Sequence, residues 1–222
     1  MEKPKISRVI IFANGDLPRL DKAGALLCSD DYMIAADGGT RHAIALGFTP
    51  NVIIGDLDSV TLDLQSLMEK GAQIIRHPCD KNETDLELAI QYALTLKPEQ
   101  VIILAALGGR LDQTLGNIAL ISGLRDNNFR LDDGVEEVFF CRDHVQINGN
   151  VGDLVSLIPW QGEVTEIVTK GLKWPLQAET LYPHKTRGIS NEMLGAAATV
   201  QIKSGSLLVV HRRTDHQPGD QK

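Results

Sequence analysis

Two aspartates stand two residues apart where an apolar run ends, within residues 51–60 (NVIIGDLDSV). The run suits a buried strand and leads into Gly55, and Asp56 and Asp58 follow directly. Two carboxylates this close repel each other unless a positive charge lies between them. The segment therefore predicts a cation-binding site at the end of a strand.

The other apolar runs of the first half also end in acidic or glycine-rich segments. These segments are residues 14–16 (NGD), 37–39 (DGG), 81–85 (KNETD) and 108–113 (GGRLDQ). The carboxyl ends of parallel strands meet at one edge of a sheet, where α/β proteins bind ligands. Carboxylates are expected there from Asp56, Asp58, Asp85 and Asp112. Such a set favours a hard cation with phosphate oxygens, and Lys81 and Arg110 add the positive charge that a polyphosphate needs.

Several nearby residues have ordinary structural interpretations. Aspartate after a strand is a common turn residue, and Asp16 is interpreted as one. Thr84 followed by Glu87 fits a capping box, so part of this pattern marks the start of a helix. Cys79 is interpreted as a small buried thiol rather than as a nucleophile. His42 is interpreted as an ordinary surface or turn histidine.

The elements that must carry these residues alternate in the first half of the chain. Short apolar runs lie at residues 8–14, 32–37, 51–56, 73–78 and 100–107. Helical stretches separate them, as in residues 85–97, where apolar residues recur at helical spacing. Near-continuous apolar strands between amphipathic helices indicate a mostly parallel sheet covered by helices. Residues 1–128 are therefore predicted to form an α/β domain.

The second half has a different rhythm, with turn residues between strand-like segments and no convincing helix. These segments are residues 135–143, 144–150, 153–160, 162–170 and 199–212. Residues 203–206 (KSGS) predict a tight hairpin. Residues 129–222 are therefore predicted to form an all-β, sandwich-like C-terminal domain. Trp174 is interpreted as a core residue of this domain and His211 as a surface residue.

Composition and charge exclude several classes of protein. The 222 residues are 43% hydrophobic and 23% charged, which is typical of a soluble globular protein. The net charge of -7, without a cluster of Lys or Arg, argues against a nucleic-acid partner. The chain carries no P-loop motif and no GxGxxG after its first run. Three scattered cysteines, and the lack of a signal peptide or an 18-residue apolar segment, predict a cytoplasmic protein with no membrane partner.

Six motifs in order carry a family resemblance: DGG (37–39), GDLDS (55–59), KNETDLELA (81–89), GGRLDQTLGN (108–117), GLKWPL (171–176) and GISN (188–191). Each motif alone is weak, but together they closely resemble thiamine pyrophosphokinases, over roughly residues 8–212. The resemblance implies transfer of the pyrophosphoryl group of ATP to the hydroxyethyl group of thiamine, giving thiamine diphosphate and AMP. It also implies Mg²⁺ and a homodimer with thiamine bound between subunits.

The same resemblance assigns roles to individual residues. Asp56, Asp58 and Asp85 are implied as metal ligands. The nucleotide and transfer site is implied at Asp37, Gly38, Gly39, Ser59, Lys81, Thr84, Arg110, Asp112, Gln113 and Asn117. The residues assigned to catalysis are the three metal ligands and, from the nucleotide and transfer site, Asp37, Lys81, Arg110 and Asp112. Ser190 and Asn191 resemble the thiamine contacts.

Two other functions remain open from the sequence. A pyrophosphokinase acting on a pterin alcohol would share the acidic edge, although GISN and the second β domain favour thiamine. A non-catalytic Mg-nucleotide sensor would keep the fold, but it would not need Arg110 and every acid. Release of AMP with thiamine, compared with a pterin alcohol and with buffer, separates the three.

Overall fold

A computed structural model describes residues 5–58, 63–124 and 128–214. The chain divides into two compact units, Met1–Gly134 and Val135–Lys222. Among the described residues, no helix is both long enough and apolar enough to cross a membrane.

The first unit is built on a parallel sheet. Its strands are β1 (Arg8–Phe12), β2 (Tyr32–Ala36), β3 (Val52–Gly55), β4 (Gln73–Arg76), β5 (Gln100–Leu104) and β6 (Asn128–Asp132), in the order β6-β5-β1-β2-β3-β4. Ile10 at the centre pairs with Met33 of β2 on one side and Ile102 of β5 on the other. The chain moves outward from β1 to β4 and then returns to β5 across β1. That reversal makes a crevice beside the ends of β1 and β5, where such sheets bind ligands.

Helices connect these strands and cover the sheet. They are α1 (Leu20–Gly24), α2 (Thr40–Ala45), α3 (Leu64–Glu69), α4 (Asp85–Thr95) and α5 (Leu111–Ser122), with a 3₁₀ turn at Asp37–Gly39. The predicted helix at 85–97 is confirmed, because α4 buries Leu86, Ala89, Ile90 and Ala93 along one face. The predicted cap is confirmed in part: Thr84 Oγ1 accepts a hydrogen bond of 3.2 Å from Glu87 N.

Strand β6 is an element that the sequence patterns did not indicate. It pairs in parallel with β5 and begins where the second domain was predicted to start. Its apolar residues, Phe129 and Leu131, are buried and alternate with polar residues. That alternation is typical of a strand with one solvated face, so it did not resemble the continuous apolar runs before it.

The second unit contains strands of two antiparallel groups. One group is β7 (Glu136–Cys141), β9 (Leu154–Pro159), β12 (Asn191–Glu192) and β14 (Leu207–Arg212), in the order β12-β9-β14-β7. The other is β8 (His144–Asn148), β10 (Val164–Lys170), β11 (Gln177–Leu181) and β13 (Ala197–Gln201), in the order β11-β10-β13-β8. Both groups contribute to one core, with Phe139, Leu157 and Val209 from the first and Ile147, Ile167 and Val200 from the second. The predicted sandwich is confirmed.

The predicted hairpin at residues 203–206 is wrong. β13 pairs with β8 and β10, whereas β14 pairs with β7 and β9. The segment therefore carries the chain from one sheet to the other, with Lys203 N bonded to Thr165 O at 3.1 Å and Trp160 N bonded to Ser206 O at 2.9 Å. Turn residues fix a change of direction, but they do not fix which strands pair afterwards.

Candidate active site

A cavity of about 640 Å³ lies at the carboxyl edge of the parallel sheet. Segments that follow β1, β2, β3 and β5 line it, together with the start of α4. Among the lining residues are Asn14, Gly15, Asp16, Asp37, Asp56, Cys79, Lys81, Glu83, Thr84, Asp85, Arg110, Gln113 and Asn117. The edge that the sequence predicted as a ligand site is therefore the wall of a real cavity.

Three carboxylates converge in this cavity, from Asp37, Asp56 and Asp85. Each offers an oxygen, and these oxygens lie within 4.8 Å of one another. Asp37 is only 4% exposed, and its buried Oδ1 accepts no hydrogen bond from any described residue. Asp85 Oδ1 is also buried and accepts no hydrogen bond of good geometry, although it forms an ion pair with a lysine ammonium. Buried polar oxygens are normally bonded, so this set suits a cation that supplies what the protein does not.

Gly55 allows the three acids to approach. A Cβ at this position would lie 3.0 Å from Asp37 Cβ and 3.2 Å from Asp85 Oδ1. Leu57 then takes a positive φ of 66°, which a leucine rarely adopts, and Asp58 N donates to Asp56 Oδ1 at 3.2 Å. Backbone strain of this kind is concentrated at functional sites. The turn after β3 thus directs the Asp56 carboxylate toward the other two.

Asp58 belongs to a second group, with Asp56 and Cys79, whose ligand atoms also lie within 4.8 Å of one another. The Asp58 amide, followed by the Cys79 thiol, holds the pKa of Asp56 below its ordinary value. The Asp56 carboxylate in turn raises the pKa of the Cys79 thiol. Cys79 is exposed, so its interpretation as a buried thiol is wrong. It lies in the loop between β4 and α4, which has no apolar pattern to bury it.

Lys81 supplies positive charge to the acidic wall. Its Nζ lies 2.8 Å from Asp85 Oδ1, and its side chain is only 13% exposed. The Asp85 carboxylate raises the pKa of Lys81, against the opposing effect of burial. The ammonium therefore stays charged beside the acids, where phosphate oxygens would also be attracted.

Arg110 and Asp112 form an exposed pair at the start of α5. The guanidinium makes two bonds to the carboxylate, of 3.1 Å from Nε and 2.6 Å from Nη2. The Arg110 side chain is 73% exposed and that of Asp112 is 64% exposed. The pair raises the pKa of Arg110 and lowers that of Asp112. An exposed ion pair is worth little, so the fork can exchange this carboxylate for a phosphate.

The remaining residues assigned in the first unit differ in their contacts. Asn117 Nδ2 donates to Ala106 O at 2.9 Å and so ties α5 to the loop after β5. Gly38 and Gly39 are buried outside the cavity lining, where a Cβ would overlap the Asn14 side chain and the Phe12 carbonyl, respectively. Ser59 lies outside the described residues.

In the second unit, Asn191 is buried and uses its amide on the protein itself. Its Oδ1 accepts from Trp174 N at 3.0 Å and its Nδ2 donates to Trp174 O at 2.7 Å. Ser190 is exposed with a positive φ of 58°. Trp174 is 47% exposed with the Lys173 ammonium 4.8 Å from its ring centroid, so its interpretation as a core residue is wrong. It lies in the loop between β10 and β11, where the Asn191 bonds hold its backbone.

Sequence and structure comparisons place the chain among known proteins. The family description "Thiamin pyrophosphokinase, catalytic domain" matches residues 23–131, and "Thiamin pyrophosphokinase, vitamin B1 binding domain" matches residues 144–207. The thiamine pyrophosphokinase of Bacillus subtilis strain 168 is 32% identical over 187 residues, covering 82% of this chain and 87% of that protein. The chain belongs to the thiamine pyrophosphokinase family.

The fold and a second relative extend this result. A crystal structure of thiamine pyrophosphokinase from Bacillus subtilis has a TM-score of 0.83 at 27% identity, covering 94% of this chain and all of that one. A 6-hydroxymethyl-7,8-dihydropterin pyrophosphokinase from Pyrococcus furiosus is 31% identical over 114 residues, but covers 48% of this chain. The predicted family, fold class and enzyme class are confirmed.

Sequence reasoning missed contacts that shape this thiamine pyrophosphokinase cavity. The sequence patterns place Asn14 only at a strand end and indicate no role for Arg41, which lies two residues after the DGG motif. Arg41 binds Asn14 and Gly15, and His42 also contacts Gly15. His42 is half-buried rather than an ordinary surface residue, and burial is the main cause that lowers its pKa. No spacing rule links residues 14 and 41, so only the fold brings them together.

Proposed function

We propose that this chain transfers the pyrophosphoryl group of ATP to the hydroxyethyl group of thiamine, giving thiamine diphosphate and AMP. One observation carries the proposal: Asp37, Asp56 and Asp85 converge beside Lys81 in a cavity of about 640 Å³, and the buried Asp37 Oδ1 accepts no hydrogen bond from any described residue. That volume is in the usual range for small-molecule sites of roughly 300–1,000 Å³. A site with this charge pattern suits a polyphosphate held with a divalent cation.

The residues fit Mg²⁺ by their donor chemistry. All three converging ligands are carboxylate oxygens, and the unpartnered Asp37 Oδ1 needs a positive partner. Asp56, Asp85 and Asp37 would hold one ion, and Asp58 would extend the same wall from its group with Asp56. Bound Mg²⁺ would neutralise charge on the phosphate oxygens.

The chain's own cations would hold and orient the phosphates. Lys81 is already fixed by Asp85 at the cavity wall, so its ammonium is preorganised. Arg110 would release Asp112 and bind phosphate oxygens with the same fork, since phosphate and carboxylate fit it alike. Thr84 caps α4 and keeps Asp85 in its first turn, facing the cavity. Positioning and charge neutralisation are the main contributions that a protein makes to phosphoryl transfer.

The thiamine contacts are proposed for the second unit, at Ser190 and Asn191. Asn191 would act mostly through the Trp174 loop, since its amide is committed to that backbone. We also place the enzyme in the cytoplasm, where its three free cysteines would stay reduced.

A homodimer with thiamine bound between subunits completes the proposal. Each unit exposes apolar side chains that an interface would cover: Leu111 and Leu115 in the first, Ile189 and Leu194 in the second. Mixing an Asp56→Asn chain with an Asn191→Ala chain tests this arrangement, since a shared site leaves one intact composite in the heterodimer. Activity that rises above that of either chain alone supports a shared site. Subunit exchange without recovered activity contradicts it.

The second candidate substrate is a pterin alcohol, because a pterin pyrophosphokinase resembles part of the chain. The match of residues 144–207 to a vitamin B1 binding domain favours thiamine. AMP release is measured with ATP, Mg²⁺ and thiamine, with a pterin alcohol, or with neither. AMP release with thiamine but not with the pterin alcohol supports the proposal, and Asp56→Asn serves as the inactive control. Turnover with the pterin alcohol alone replaces the substrate, and no turnover with either contradicts the reaction.

A further inference from the structure

The loop after β1 is a wall of the cavity that carries no catalytic cation of its own. Ala13, Asn14, Gly15 and Asp16 all line the cavity. Asn14 and Asp16 are exposed, so burial of their side chains does not hold the loop in place. Ala13 is buried, and hydrogen bonds to the elements on either side hold Asn14 and Gly15, which follow it.

On one side, Arg41 of α2 holds the loop. Its Nη1 donates to Asn14 Oδ1, and its Nη2 donates to Asn14 O at 3.0 Å and to Gly15 O at 3.1 Å. His42 Nε2 donates to the same Gly15 carbonyl at 2.9 Å. One guanidinium therefore bonds three acceptors on two successive residues, which a planar fork does far better than a point charge.

On the other side, the end of β5 holds the same residues. Ala13 N donates to Leu104 O at 2.9 Å, and Gly15 N donates to Ala105 O at 3.0 Å. Ala105 has a positive φ of 56°, and a Cβ on Gly15 would overlap its carbonyl oxygen. The loop is thus bonded to the segment after β2 on one side and to the segment after β5 on the other. This is the crevice where the strand order reverses.

We propose that Arg41 is a positioning residue for the nucleotide, acting through Asn14 and Gly15. Arg41 does not line the cavity, whereas both residues that it holds do. Without the fork, the Asn14 amide and the two carbonyls lose their shared donor and the wall can shift. A displacement of about 1 Å in a binding wall can cost roughly 100-fold in rate. The identity of the nucleotide rests on the proposed function.

Binding of an ATP analogue with a methylene bridge between the α- and β-phosphates, in the presence of Mg²⁺, provides the primary test. Arg41→Gln should raise its Kd roughly tenfold. Arg41→Lys should recover little of that loss, because a single ammonium cannot reach all three acceptors. Arg41 is exposed, so the thermal midpoint should change little. Arg212→Gln, which removes an exposed arginine paired with Glu136, is the matched control and should bind as the parent does.

A double-mutant cycle with Asn14→Ala separates positioning from a general loss of stability. If Arg41 acts through Asn14, the double variant should bind about as weakly as Arg41→Gln alone. In turnover, the KM for ATP should rise while the KM for thiamine stays within about twofold. An unchanged Kd in Arg41→Gln, additive losses in the cycle, or full recovery by lysine would each overturn the inference. If the parent chain binds the analogue but makes no AMP with thiamine, the proposed reaction is rejected. The inference about Arg41 still stands in that case.

Discussion

Each unit of this chain contains a cluster of buried or half-buried acids, and the two clusters differ in how their oxygens are used. In the first unit, Asp37, Asp56 and Asp85 converge on a cavity, and Asp37 Oδ1 has no hydrogen bond from the described residues. In the second, Glu137 and Asp153 lie on either side of His211, and all three are buried. Both clusters are built around acids, but a buried oxygen of the first lacks a hydrogen-bond donor, whereas the acids of the second are well supplied with donors.

The acids of the cluster in the second unit are surrounded by hydrogen-bond donors. His211 Nδ1 lies 2.9 Å from Glu137 Oε1, and its Nε2 lies 3.1 Å from Asp153 Oδ2. Asp153 also accepts from Asn150 N at 2.8 Å and from Thr214 N at 2.8 Å. Both ring nitrogens of His211 therefore face a carboxylate oxygen. The prediction of His211 as a surface residue was wrong, because its strand places it inside the sandwich.

This difference separates a ligand site from a structural network. Buried polar groups are costly unless they are bonded, so a protein leaves them unsatisfied where a ligand completes them. The second cluster needs nothing from outside and contributes to folding. Removing an acid should therefore damage activity in the first unit and stability in the second.

The largest expected effect is on turnover, in Asp56→Asn. Asp56 belongs to both groups of ligand atoms, so its loss should lower AMP production roughly 1,000-fold or more. Stability without Mg²⁺ should hold or rise, because like-charge repulsion is relieved. AMP release and urea unfolding measure the two quantities, with the exposed Asp21→Asn as control. Near-normal AMP production would reject the metal assignment.

Asp153→Ala should have the largest effect on stability. It leaves His211 and its other partners in a buried site with one carboxylate missing, which costs about 3–5 kcal/mol in comparable buried pairs. Urea unfolding measures the loss, and Glu163→Ala on the exposed surface is the control. A loss below about 1 kcal/mol would show that the network contributes little to folding.

Arg110→Lys should lower kcat/KM for ATP roughly 10- to 100-fold while the charge is kept. The reason is that a fork able to bind two phosphate oxygens is replaced by a point charge. Because the Arg110 side chain is 73% exposed, unfolding should not change measurably. Arg212→Lys provides the comparison at another exposed ion pair. Equal kinetics in Arg110→Lys and the parent would remove Arg110 from the site.

The smallest effect concerns pH. Burial acts to raise the pKa of Asp153, but bonds from Thr214, Asn150 and His211 together lower it. Its carboxylate therefore stabilises the fold above the unfolded pKa of about 3.9 and loses that contribution as pH falls through the lower folded value. The difference in unfolding free energy between the parent and Asp153→Asn should shrink below about pH 4. A difference that stays constant down to pH 2 would contradict this account.

The sequence predicted much of the first unit because local patterns report which faces are buried. Runs such as residues 100–107 became β5, and Asp56 after β3 reached the cavity because parallel strands end at one edge. The patterns failed where the structure of a segment depends on which strand it pairs with. β6 is polar on one face, and residues 203–206 link two sheets rather than two paired strands.

Sequence patterns were enough to predict the alternation of strands and helices, the edge that carries the acids, and the family. These follow from side-chain periodicity and from residues adjacent in the chain. The fold was needed to show that Asp37 joins Asp56 and Asp85, that Arg41 reaches the loop after β1, and that His211 is buried between two acids. Each of those contacts joins residues from different elements. Their distances depend on how the elements pack, and no local pattern encodes that packing.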